Sequence, residues 1–348
     1  MNKYWKTYCL FFLLLAAESC SVIDEDLSNC GEQAKLDYEL RLVTNMTTEL
    51  RTELTTQTDL QIAQALRDEL SNVFSDFAHD VDLSFYDTKG DSARLQHDEH
   101  FMDANQASYE LNLPMRHYMH LATANILDNK LVTLEEDERC HHSILRQIDR
   151  DTIDSHTTGI FTARQPMEVL EGIDQNFKVH LYMANCAAAL VLDTQGYDIS
   201  GMQVYTTGFA TRFFICDSTF AYPRRSPIVR TTKIAKSEDS QAVAFCSVNF
   251  PSRAPSKTRT VIETTEPFIA QPGDEVLWEF RVYVPSPNST HQETTYTETR
   301  LLINEMLNPG QLTIVKGRVG ENGVIIPDSP EVGTSVTLDW KEGLIIGN

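Results

Sequence analysis

The sequence predicts a mainly β fold, with antiparallel sandwiches and one short amphipathic helix in the first half. Three observations predict it. Apolar and polar residues alternate along many short stretches, as in Leu36, Tyr38, Leu40 and Leu42 against Asp37, Glu39 and Arg41. Turn signals such as "QPGDE", "PSPN", "NPGQ" and "ENG" punctuate the second half. The period of three to four that marks a helix is clear in one stretch, residues 58–80.

The chain begins with Lys3 and Lys6 and then an unbroken apolar run from Cys9 to Ala17. A helix of that length covers roughly 14 Å, about half of the ~30 Å of bilayer hydrocarbon, so the run reads as a secretory signal over 1–19. Ala17-Glu18-Ser19-Cys20 resembles the lipobox of bacterial lipoproteins, with cleavage between Ser19 and Cys20 and the lipid carried on Cys20. Each buried methylene contributes ~0.8 kcal/mol, so two or more chains hold a protein durably on a membrane. Asp24, Glu25 and Asp26 follow at once, where an acidic run gains nothing from anionic lipid. They resemble the acidic surface-export signal of Bacteroidetes lipoproteins, within a linker over 20–34.

About 330 residues then remain, enough for two domains of ordinary size, expected at 35–160 and 161–348. "KLDYELRLVTN" reads as a half-buried strand. "TDLQIAQALRDELSNVFSDFAHD" changes period: Leu60, Ala63, Leu66, Leu70, Val73, Phe74 and Phe77 share a helix face, with Thr58 or Asp59 as N-cap. "DVDLSFYDTKG" is a strand facing inward through Val81, Leu83 and Phe85. "ASYELNLPMRHYMHLA" has a long alternation through Tyr109, Leu111, Leu113, Met115, Met119 and Leu121, with His117 interrupting, and Pro114 argues for an edge or a bulge. Residues 128–165 are polar and less periodic, and the boundary is placed there. "NFKVHLYMANCAAALVLD" is a strand pair or a strand leading into a short helix. "TRFFICDSTFAY", "QAVAFCSVNFP", "DEVLWEFRVYVP", "ETRLLINEM", "QLTIVKGRV" and "SVTLDW" follow as strands. In the third of these, Val276, Trp278, Phe280, Val282 and Val284 fall on one face.

A formal net charge of -21 argues against nucleic acid, which needs a basic footprint. Of seven cysteines, Cys9 lies in the signal and Cys20 is the lipid site. Cys30, Cys140, Cys186, Cys216 and Cys246 are widely spaced without a CxxC, so no dense disulfide framework is indicated. One disulfide fits an exported protein, its pairing open, while Cys186 and Cys246 read as small buried hydrophobes.

No motif singles out chemistry. His141 and His142 are adjacent and on an extended chain would point apart; His97 and His100 sit in a turn-like stretch without HExxH spacing. There is no GxSxG elbow, and Gly317, Gly320 and Gly323 lie in a hairpin rather than opening a helix. Arg224-Arg225 with Lys233 and Lys236 form a modest basic spot that reads as solvated loop. No catalytic, cofactor or metal residue is assigned.

The lipidation cysteine with "SVIDEDLSNCG", the strand "DYELRLVTNMTTEL", the amphipathic helix, the strand "VDLSFYD" and the closing "VTLDWKEG" together resemble the lipoprotein anchor subunits of the Bacteroidetes fimbrillin superfamily, the FimB/Mfa type. The resemblance implies two tandem transthyretin-like β-sandwich domains. It implies a minor, non-enzymatic subunit at the cell outer membrane, exposed at the surface and anchored by N-palmitoyl and S-diacylglycerol groups on Cys20. It also implies a fimbrial stalk subunit as partner, joined by strand exchange, a role in cell adhesion or length control, and a first strand kept in its own sheet. Strand exchange suits a sheet edge kept open for a partner. Only "KEGLIIGN" follows Trp340, short for a full donor strand.

Two other functions compete. A surface glycan-binding lipoprotein would share the signal and the sandwiches, but Trp278 and Trp340 both fall in strand patterns rather than on a stacking surface. An exported hydrolase would need two convergent carboxylates, which the sequence does not single out.

Overall fold

The computed structural model describes residues 33–43, 57–71, 73, 78–88, 95–101, 108–171, 173–234, 242–254, 276–285, 295–329 and 332–341. The chain is mainly β, with one α-helix among the described residues. A series of seven hydrogen-bonded strands runs in the order Leu95–Phe101, Asp80–Asp87, His117–Ala124, Phe161–Glu168, Gln175–Met183, Gln33–Val43 and Ser108–Pro114. Phe161–Glu168 and Gln175–Met183 pair only through Thr162 with Tyr182 and Phe161 with Met183. Beyond those pairs the strands part, and the series folds over into layers of four and three. Tyr38 shows this: its hydroxyl lies 2.5 Å from Nε2 of His120, three strands away. In a flat sheet those strands would stand ~14 Å apart, at ~4.8 Å per step. Leu36, Tyr38 and Leu40 from one layer and Leu83, Phe85 and Tyr118 from the other fill the space between.

The helix Gln57–Ser71 buries Ile62, Leu66 and Leu70, spaced by four, into the same core. It begins at Gln57, so Thr58 and Asp59 lie inside its first turn rather than at its cap. Phe74 and Phe77 lie outside the described residues.

A five-stranded sheet runs Thr232–Ile234, Ala242–Asn249, Cys186–Asp193, Leu312–Val319 and Ile325–Pro327. Its central strands are apolar without alternation because both faces are covered. Ala187, Ala189, Ala244 and Cys246 face the helix and the first core. Cys186, Ala188, Leu190, Val243 and Phe245 face a second core, closed by a six-stranded sheet. That sheet runs Gly333–Lys341, Thr295–Ile303, Trp278–Pro285, Gln203–Thr207, Ile228–Arg230 and Thr152–Asp154. Trp278, Phe280, Val282 and Val284 point into this core as their alternation requires, whereas Val276 precedes the strand and is exposed. Thr206 and Ser247 bridge the two sheets by a buried hydroxyl pair at 2.9 Å.

A four-stranded sheet, Thr219–Ala221, Arg212–Phe214, Ile144–Gln147 and Val132–Glu135, packs on the outside of the first sandwich. Tyr86 and Leu121 from that sandwich meet Leu145, Phe213 and Ile215 there.

The seven-strand series runs on past residue 160 to Met183, and Thr152–Asp154 belongs to the six-stranded sheet. Other expectations need correction. The sheets are not wholly antiparallel. Gln33–Val43 runs parallel to Gln175–Met183, Cys186–Asp193 to Leu312–Val319, and Ile228–Arg230 to Thr152–Asp154. The long alternation over 107–122 is two strands, Ser108–Pro114 at an edge and His117–Ala124 inside the other layer. His97 and His100 lie on the strand Leu95–Phe101, paired with Asp80–Asp87, rather than in a turn. "NFKVHLYMANCAAALVLD" is a strand pair, but its members belong to different sheets, and no short helix follows.

Candidate functional site

Of the residues assigned to the membrane tether, Ser19, Cys20, Asp24, Glu25 and Asp26 lie outside the described residues, as does Cys30. What the structure shows is the element to which that segment leads. The strand Gln33–Val43 alternates inward Leu36, Tyr38 and Leu40 with outward Lys35, Asp37 and Glu39, and it is paired on both sides. Leu36–Val43 match Gln175–Tyr182 in parallel, and Gln33–Glu39 match Pro114–Ser108 in antiparallel register. Fully burying each inward side chain contributes roughly 1.5–3 kcal/mol. The Tyr38 phenol adds a buried hydrogen bond. Nδ1 of His120 lies 3.1 Å from the Ser84 carbonyl, so Nδ1 carries the proton and Nε2 accepts from Tyr38. Burial pushes the Tyr38 phenol well up and holds the His120 imidazole down to about 4, so both stay neutral. The first strand is therefore built in rather than laid on.

The second feature is a disulfide between Cys140 and Cys216, with Cα atoms 5.8 Å apart at a sequence separation of 76. It ties the 3-10 turn Cys140–His142 to the loop between Arg212–Phe214 and Thr219–Ala221. Sequence left the pairing open because neither cysteine sits in a motif. Cys186 and Cys246 are free and buried, as their apolar strands implied, and burial raises both thiols. The turn orders the adjacent histidines separately: His141 Nδ1 lies 2.9 Å from Asp217, and His142 Nδ1 lies 2.5 Å from Asp137. His141, Asp217 and Cys216 come within 4.8 Å of one another, but the Cys216 sulfur is already bonded to Cys140 and offers no thiolate to a metal.

The third feature is a cleft of about 360 Å³ where Phe161–Glu168 and Gln175–Met183 part. Thr162, Arg164, His180 and Tyr182 contribute from those strands, and Phe213, Ile215 and Phe220 from the disulfide-tied hairpin. No motif in the sequence marked it. Among the remaining candidates, Arg224 and Arg225 are exposed, Lys233 is exposed on the edge strand Thr232–Ile234, and Lys236 lies outside the described residues. Gly317 lies in the strand Leu312–Val319, and Gly320 and Gly323 bound the single 3-10 turn Glu321–Gly323 that leads to Ile325–Pro327, with no α-helix opened there. Trp278 is fully buried; the side chain of Trp340 is not among those described. No described helix is long and apolar enough to cross a membrane.

No family model matches the chain, and no curated protein matches it by sequence. Solved structures match it by shape. A candidate adhesin from Bacteroides ovatus superposes with a TM-score of 0.51 at 10% identity, over 91% of this chain and 98% of that one. A candidate cell adhesion protein from Bacteroides eggerthii gives 0.47 at 12% identity, over 89% and 97%. The tip fimbrial protein Mfa3 from Porphyromonas gingivalis, with a C-terminal truncation, gives 0.42 at 9% identity, over 88% and 100%. The fold is that of the Bacteroides ovatus structure across nearly the whole of both chains.

Proposed function

We propose that this chain is a lipid-anchored structural subunit of a fimbria. It attaches the fibre to the outer membrane through acyl chains on Cys20, limits fibre length by occupying the cell-proximal end, and joins the stalk subunit by strand exchange. The observation that carries the reading is the seating of Gln33–Val43. This strand stands thirteen positions after Cys20 and is paired along both edges. A fully extended chain of that length reaches at most about 45 Å, so the sandwich would sit close to the bilayer. Pull from the fibre would then load a strand fixed by two ladders, a buried apolar face and the Tyr38–His120 bond. The fold shared with a candidate adhesin supports the same reading.

Metabolic labelling with palmitate tests it. The wild-type chain is expected to take up label and to fractionate with the outer membrane, and Cys20→Ala to do neither while fibres appear in the medium. A mature chain recovered from the medium with an unmodified thiol on residue 20 would overturn the reading.

A further inference from the structure

We propose that the cleft between the parting strands and the disulfide-tied hairpin binds a carboxylate-bearing sugar. The volume of about 360 Å³ lies at the lower end of the range that holds small ligands. Its polar groups are spare. Thr162, Arg164, His180, Tyr182 and Ser218 line the cleft, all but Thr162 exposed to solvent, and none of their side chains makes a hydrogen bond or ion pair with the described residues. Arg164 is exposed at the cleft and forms no ion pair with the described residues, so its guanidinium is open to a ligand.

Each lining group suits one part of such a ligand. Arg164 presents a planar fork that matches a carboxylate with two parallel hydrogen bonds. Tyr182 is 59% exposed, more than any other large apolar or aromatic side chain described, and offers a ring face to the C–H face of a pyranose. Thr162, Ser218 and His180 supply donors and acceptors for ring hydroxyls. Phe213 and Phe220, stacked at 4.4 Å between centroids, give a rigid apolar wall. Cys140–Cys216 holds the hairpin that carries this wall, so the cleft is largely preformed. The site is independent of the lipid tether and would give an anchored subunit a contact with acidic polysaccharide at the cell surface.

Ligand-observed NMR on the mature, disulfide-intact chain tests this with glucuronic acid and N-acetylneuraminic acid as probes. Glucose serves as the uncharged ring and acetate as the ringless carboxylate. Saturable binding of at least one acidic sugar is expected, with glucose and acetate much weaker. Arg164→Gln and Tyr182→Ala are each expected to weaken it by about tenfold or more, at unchanged melting temperature because both side chains point outward. Arg164→Lys is expected to recover only part of the loss. No saturable signal from either acidic sugar, equal binding of glucose or acetate, or binding undiminished in both variants would overturn the proposal.

Discussion

Tyr38 and His120 face each other across the first sandwich with 2.5 Å between hydroxyl and imidazole nitrogen, and this bond joins the strand Gln33–Val43 to the middle of the opposite layer. Phe85 stacks on the same imidazole at 4.4 Å between centroids, so the ring cannot turn away to find another partner. Tyr38→Phe keeps the volume and removes the donor, leaving a buried acceptor unsatisfied. A loss of about 1–3 kcal/mol is expected in urea unfolding, with the m-value unchanged.

Burial also sets a pH dependence. His120 and His156 are both buried, and desolvation holds each imidazole down to about 4, against 6.5 unperturbed. The unfolded chain therefore binds protons that the folded chain refuses. Their contribution to stability is complete above pH 6.5 and is lost as pH falls from there toward 4, at about 1.4 kcal/mol per pH unit for each ring. Chemical denaturation at pH 7, 6 and 5 should show this decline. His156→Phe should make it shallower than in wild type, and an identical slope would remove His156 from the account.

The Cys140–Cys216 bridge closes a long loop between the two strand pairs of the four-stranded sheet. Cys140→Ser with Cys216→Ser should lower stability by about 2–4 kcal/mol through the freed unfolded chain. It should also raise hydrogen exchange over 212–221 more than over the buried strand Cys186–Asp193. Uniform exchange across both segments would argue against a local clasp.

Gly208 has φ +112, and a Cβ built on it would lie 2.6 Å from the Cα of Trp278. Both the backbone angle and the contact with a central strand forbid a side chain there. Gly208→Ala is expected to destabilise by more than about 1 kcal/mol, measured as a fall in urea midpoint. Gly196→Ala, at φ +80 with open space around it, should cost less.

How far the fold could be read depended on how many faces of a strand are covered. Leu36, Tyr38 and Leu40 alternate with exposed or partly exposed neighbours, and the sequence pattern matched the burial. His117–Ala124 defeated the same logic. Tyr118, Ala122 and Ala124 face the first core while Leu121 faces the outer four-stranded sheet, so both parities are buried and period-two reading chose the wrong set. Cys140 and Cys216 meet through tertiary packing across 76 positions, which local pattern does not encode. The polar stretch taken as a boundary holds that disulfide turn and three short strands, its charges lying on exposed positions such as Glu135, Asp137 and Arg139. The cleft was not legible: nothing in the pattern marks His180 or Tyr182, and what lies across from them is set by the hairpin near residue 216.

The sheet built on Cys186–Asp193 and Ala242–Asn249 has no free side: helix and first core lie against one surface, and the Trp278 strand against the other. Neither neighbour can melt away without baring a wall of alanine, valine and phenylalanine to water. Heating should accordingly give a single calorimetric peak, with both halves of the molecule failing together.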